Sequence, residues 1–180
     1  MIGDFLSFFD EDSEFIDSGN LYNDFIIQLG GKSFGRGVFN SFSKKNIGKW
    51  TDIVSEAFPD FKNLFLLFGY DWLGRCFGVD LRNNSYGNIL MFEIGTDDIL
   101  EIPCALDVFL NEEIPLYSDA CLAMPFFEEW MDFFGKQIEY GRCAGYKIPL
   151  FLGGEDSVNN LEDNDMEVYW SVITQIKNKN

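Results

Sequence analysis

Four apolar runs lie close together in the middle of this chain, at 63–68, 73–81, 89–94 and 99–102. The connections between them are too short to carry a strand back across a sheet, so neighbouring runs must pair antiparallel as a meander. The tightest junction is Phe68-Gly69-Tyr70-Asp71-Trp72-Leu73-Gly74-Arg75-Cys76-Phe77-Gly78-Val79-Asp80, where two runs meet across a short polar corner. Gly69 and Gly74 let the backbone turn where a side chain would clash. Such a corner forms either a packed hairpin, which the composition favours, or a pocket rimmed by Tyr70, Trp72 and Arg75; Trp72 is expected mainly in the core and Arg75 to face a cleft.

Helical patterns flank this core. Phe5, Leu6, Phe8 and Phe9 predict a short first helix, 10–17 an acidic loop, and Ser18 a cap for a second helix built on Leu21, Tyr22, Phe25, Ile26 and Leu29. Residues 1–31 hold no Lys or Arg. Phe34-Gly35-Arg36-Gly37 reads as a turn into a short strand at 38–42, and two glycines around a guanidinium weakly resemble an anion site. Ser43 is expected to cap a helix over 43–58 with Ile47, Trp50, Ile53, Val54 and Ala57 inward, and Pro59 to end it. A turn is predicted at 82–88. Beyond Pro103, helical patterns occupy 104–110, broken by Pro115, and 118–124. Pro125 opens a further helix that closes at Gly135. A buried extended run is predicted at 148–154. Asp165 is expected to cap a last helix with Val168, Tyr169, Val172, Ile173 and Ile176 on one side, ending in a frayed tail at 177–180.

The expectation is an α+β fold: an antiparallel sheet over about residues 36–102, helices packed on one face, and a C-terminal helical layer. Three stretches form one compact unit in this reading: an acidic helical segment at 1–33, an α+β domain at 34–103 and a C-terminal region at 104–180.

Charge narrows the partners. Thirty Asp and Glu oppose 13 Lys and Arg, a formal net charge of -17, which repels nucleic acid and attracts a basic protein. No apolar run is long enough to span a bilayer and Met1-Ile2-Gly3-Asp4 lacks the basic start of a signal peptide, so no membrane partner and a cytoplasmic location are expected. Cys76, Cys104, Cys121 and Cys143 are widely spaced in apolar company, as suits free thiols in a reducing compartment, and there is no histidine to complete a zinc site.

The absence of histidine also removes the commonest general base and every Ser-His or Cys-His pair. Asp97-Asp98, Glu112-Glu113, Glu128-Glu129 and Glu155-Asp156 are carboxylate pairs of a kind that catalysis uses, yet with 30 acidic residues such pairs arise by chance. No catalytic residue, metal or cofactor is therefore assigned, and the chain is read as a binding protein. The candidate contact residues are Arg36, Tyr70, Asp71, Trp72, Arg75, Glu155 and Asp156, because Tyr, Trp and Arg anchor interfaces and these turns are expected to converge.

Phe34-Gly35-Arg36-Gly37, the helix ending at Phe58-Pro59 and the corner from Phe68 to Asp80 together resemble the GAD-related domain found in immunity proteins of type VI secretion DNase toxins. The segments Phe92-Glu93-Ile94-Gly95-Thr96, Ile102-Pro103, Asn111-Glu112-Glu113, Gly145 to Asp156, Asn160-Leu161-Glu162, Asp165 and Val168-Tyr169-Trp170 are similar to the continuation of those proteins. The similarity runs from about residue 34 to residue 175. It implies a non-enzymatic α+β protein that binds a cognate basic toxin, a DNase, and neutralises it by protein–protein contact. A small-ligand-binding module with a pocket near Tyr70, Trp72 and Arg75 is the alternative.

Overall fold

A computed structural model describes residues 2–83 and 87–179. Asn84, Ser85 and Tyr86 of the expected 82–88 turn, and Asn180 of the expected tail, lie outside the described residues. The chain opens with α1 (Gly3–Phe8) and α2 (Leu21–Leu29), then β1 (Ser33–Phe34), β2 (Phe39–Ser41) and α3 (Ile47–Ala57). The meander follows as β3 (Phe65–Asp71), β4 (Cys76–Asp80), β5 (Ile89–Glu93) and β6 (Asp98–Ile102). The C-terminal part comprises α4 (Leu106–Val108), a wide helical turn (Phe109–Glu113), α5 (Ile114–Cys121), α6 (Met124–Phe134), β7 (Arg142–Tyr146), β8 (Leu161–Asp165) and α7 (Met166–Lys177).

β1 to β6 form one antiparallel sheet in chain order, and β7 pairs with β8 in a separate ribbon. Short connections force this order, as the sequence implied. Because side chains alternate across a strand, the meander feeds two cores. Phe77 and Met91 face one core, while Cys76, Leu90 and Phe92 face the other. On the first face lie α1, α2 and the helices from Leu106 to Phe134, joined through edge-on rings such as Phe25–Phe68 and Phe68–Phe109. On the second lie α3 and α7, where Phe42 meets Trp50 and Phe58 meets both Phe92 and Trp170. The antiparallel α+β architecture is as expected. Its helices divide between both faces, because two-sided apolar strands such as β5 need cover on each.

Several local expectations are corrected. Asn20, not Ser18, caps α2 by accepting from the Asn23 N–H, while Ser18 is held by the Asp24 carboxylate. Helix α3 starts at Ile47; before it, Ser43 and Asn46 bond reciprocally, each side chain accepting the other's N–H. Pro115 does not break the chain's helical course. The wide turn at Phe109–Glu113 precedes it and Pro115 enters as an early residue of α5, where its missing N–H costs least. The 148–154 stretch is a short 3-10 turn with Ile148 and Leu152 exposed, not a buried strand. In α7, Asp165 caps and Tyr169 and Ile173 turn inward as expected, but Val168 and Val172 face solvent while Met166 and Trp170 are buried instead. Lys177 is held rather than frayed, by the Ala57 carbonyl and the Asp97 carboxylate. Among the described residues no helix is long and apolar enough to cross a membrane.

The two-core arrangement depends on a bulge. Leu67 faces Gly78 and Gly69 faces Phe77, so Phe68 is an extra residue in β3 and shifts the alternation before Tyr70. A Cβ on Gly69 would lie 2.5 Å from the Phe39 ring and 2.8 Å from the Asn40 carbonyl oxygen. Gly69→Ala is therefore expected to destabilise the fold by about 2 kcal/mol in urea denaturation, the cost of overpacking a filled core. An unchanged midpoint would contradict the bulge's role.

Candidate functional site

The polar corner is a knot of hydrogen bonds. Between β3 and β4 the chain turns through Trp72, Leu73, Gly74 and Arg75, with Gly74 at φ +76°. The Asp71 carboxylate accepts from the backbone N–H of Leu73 (3.1 Å) and of Arg75 (3.0 Å), which closes the turn. Its second oxygen accepts from Arg75 Nε at 2.6 Å, so one carboxylate holds both the backbone and the guanidinium. Arg75 also donates to the Cys121 carbonyl at 3.2 Å, at the end of α5. Burial works most strongly against the Arg75 charge, but Asp71, with Glu93 and Tyr146, together hold the guanidinium pKa above its ordinary value. Burial likewise pushes the Asp71 carboxyl up, opposed by Arg75 and the two N–H donors.

The same corner tethers every neighbouring layer. Trp72 Nε1 donates to the Leu122 carbonyl at 2.9 Å, and the Trp72 carbonyl accepts from Ala144 N–H on β7 at 2.7 Å. Trp170 Nε1 on α7 donates to the Gly74 carbonyl at 2.8 Å, and Tyr70 Oη accepts from Gly141 N–H at 2.8 Å. Tyr70, Asp71 and Trp72 are buried and Arg75 is 7% exposed. Phe126, Phe127 and Trp130 fill the space beside Trp72. This corrects the pocket alternative: the volume expected near Tyr70, Trp72 and Arg75 is occupied by the chain's own side chains. Arg75, expected to face a cleft, faces Asp71 and a carbonyl.

The other candidates are at the surface. Arg36 is exposed in a left-handed conformation, φ +61°, between Gly35 and Gly37. Gly37 takes φ +95°, and a Cβ there would sit 2.1 Å from the Ile138 carbonyl oxygen, so this loop docks with its backbone against 138. Arg36 lines an open concavity of about 540 Å³, together with Phe8, Asp10, Glu11, Met124 and Glu128. Glu155 and Asp156 are exposed in the turn after Gly153, beside a different concavity lined by Lys147, Ile148 and Asn160. There the Glu155 carbonyl accepts from Asn160 Nδ2 at 2.9 Å, and Asp156 accepts from Tyr146 Oη at 2.6 Å. The expected convergence of the Arg36 and Glu155 turns on the corner is only partial. Glu93, whose carboxyl burial pushes up, senses the charges of both Arg75 and Asp156, whereas Arg36 borders other residues.

Titratable groups inside are held in their neutral or paired states. Cys76, Cys121 and Cys143 are buried free thiols and Cys104 is half-buried. Burial raises all four, to about 11 for Cys104 and about 12 for Cys121, so thiolate chemistry is suppressed at neutral pH. Among the described residues no three Cys, Asp or Glu side chains are grouped to hold a metal ion.

Residues 115–177, from α5 to the end of α7, match a family model described as "T6SS immunity protein Tdi1, C-terminal". That match supports a type VI secretion immunity role. No curated protein matches the chain. Among solved structures, the crystal structure of Atu4351 from Agrobacterium tumefaciens is similar over 97% of this chain and 89% of that one, with a TM-score of 0.66 at 18% identity. At that identity the likeness shows a common fold.

Removing one partner of the buried pair should be costly. Arg75→Ala is expected to lower stability by about 3–5 kcal/mol, since it strands a buried carboxylate. Arg75→Met combined with Asp71→Asn should cost less than the sum of the two single changes by at least about 1 kcal/mol, read from a double-mutant cycle in urea. Additive costs would mean that the two side chains act independently.

Proposed function

We propose that this chain is an immunity protein that binds and neutralises a basic DNA-cutting toxin of a type VI secretion system by protein–protein contact, without catalysis. The observation that carries this reading is the match over residues 115–177 to an immunity-protein family model. The charge agrees with it. A protein that cuts DNA must hold phosphates with Lys and Arg, and a chain of net charge -17 competes for that surface and is steered onto it. The absence of histidine and the raised thiols leave the interior without the usual nucleophiles and bases, which suits a binding role. In this reading residues 34–103 serve as a GAD-related unit, and the chain meets its toxin in the cytoplasm, before the toxin reaches DNA.

The exposed candidates Arg36, Glu155 and Asp156 are proposed as contacts, whereas Tyr70, Asp71, Trp72 and Arg75 act by holding the scaffold. A small-ligand module has no comparable support, because the volume it required is filled.

The test is co-expression with the toxin encoded beside this chain's gene. Cells that make both are expected to grow and to keep intact chromosomal DNA, and the two proteins to co-elute on size exclusion. Killing at equal expression, with the immunity chain folded and present, would defeat the reading.

A further inference from the structure

The negative charge of this protein is not spread evenly. Residues 1–31 and 103–135 contain fourteen of the thirty acidic residues and none of the thirteen Lys and Arg. The rest of the chain holds sixteen acidic residues against thirteen basic ones. The two stretches are far apart in sequence but fold into one layer. Helix α1 packs on the Phe109–Glu113 turn and on α5, α2 packs on α4, and α5 packs on α6. Asp4 N–H donates to Asn111 Oδ1 across the seam, at 3.2 Å. All of these elements feed the core on the first face of the sheet, so their outward sides share one surface.

That surface also presents apolar side chains that nothing in the chain covers. Leu116 is 67% exposed, Tyr117 53% and Phe133 58%. Tyr117 lies at a kink in α5, with φ -131°, directly after Pro115 and Leu116. Exposed neighbours with charges around them form the usual pattern of an interface anchor inside a polar rim. The concavity of about 540 Å³ opens at the edge of this layer between α1 and α6, with Asp10, Glu11 and Glu128 in its lining.

We infer that this layer is the docking surface for the basic, phosphate-binding face of the toxin, with Leu116, Tyr117 and Phe133 as apolar anchors. The inference rests on the immunity reading above and specifies its surface. Charge selects the occupant. Two stretches with fourteen acidic residues and no Lys or Arg repel DNA, and they repel the same face of a second copy, whereas a Lys- and Arg-rich protein surface is attracted within about a Debye length. The concavity then accepts basic side chains at Asp10, Glu11 and Glu128. Arg36 lines the same concavity, whereas Glu155 and Asp156 lie beside a different one and would contribute contacts outside this layer.

The experiment compares two variants with the same change in net charge. One reverses the layer (Asp119→Lys, Glu128→Lys, Asp132→Lys). The other reverses the exposed acids of α3 and the turn after it (Asp52→Lys, Glu56→Lys, Asp60→Lys). The probe is a catalytically inactive form of the toxin encoded beside the gene, with association followed by stopped flow or biosensor at low and high salt. The layer variant is expected to associate about 10- to 100-fold more slowly at low salt and to lose most of its salt dependence, and the α3 variant to stay within about 3-fold of the unaltered chain. Tyr117→Ala is expected to raise the dissociation rate by about 10-fold or more with little change in association. Thermal melts check folding; if the Lys variant does not fold, Asp119→Asn, Glu128→Gln, Asp132→Asn takes its place with a smaller loss expected. Equal losses in both charge variants, or none in the layer variant, would overturn the inference while leaving the immunity reading intact. Failure of the unaltered chain to bind the toxin would overturn both.

Discussion

The buried Asp71–Arg75 pair is the constraint on which the rest of this structure depends. Taking two charges out of water is expensive, and their attraction repays it only when the remaining donors and acceptors are satisfied. Here they are: Asp71 receives two backbone N–H groups besides the guanidinium, and Arg75 reaches the Cys121 carbonyl. The pair therefore fixes the β3–β4 turn and the end of α5 relative to each other. Around it the tryptophans complete the attachment: Trp72 holds the α5–α6 junction and β7, and Trp170 holds α7. Four elements distant in sequence meet one six-residue corner.

This arrangement explains how an aromatic-rich chain keeps two cores apart. The bulge at Phe68 and Gly69 sends Phe68 and Tyr70 to opposite faces, where they join different clusters. Were the alternation uninterrupted, Tyr70 and Phe68 would share a face and the Tyr70 hydroxyl would not meet Gly141. The cost of ordering the corner is offset by the apolar area its neighbours bury, since Trp72, Trp130 and Trp170 are all fully enclosed.

Much of this was legible in the sequence, and the failures have physical reasons. The meander could be read because short loops admit one pairing direction, and α6 because Pro125 and Gly135 mark its ends. Asp165 was legible as a cap for the same local reason. The β7–β8 ribbon was not legible, because Arg142–Tyr146 is short, contains a glycine and pairs with the polar strand Leu161–Asp165 across a long loop. The face of α7 was half right: Tyr169 and Ile173 turn inward, but Val168 and Val172 do not, and the neighbouring packing of Trp170, which donates to the Gly74 carbonyl, lies between them. The corner is a packed hairpin with Trp72 in the core, as its composition favoured, but Arg75 faces Asp71 and not a cleft. Tyr, Trp and Arg with a carboxylate suit a binding site and a buried polar knot equally, and burial, which decides between them, is a tertiary property. The charge of the outer layer was half visible, in residues 1–31; that 103–135 joins them required the fold.

The account thus separates a corner that builds the molecule from a surface that meets the partner. Hydrogen–deuterium exchange of the free chain and of its complex with inactive toxin tests that separation most directly. The Leu73 and Arg75 amides, both donating to Asp71, should be among the slowest to exchange in the free protein and unchanged in the complex. Amides of α1, α5 and α6 should slow on binding. Protection gained on α3 and α7 instead, or a corner that exchanges freely until toxin binds, would contradict it.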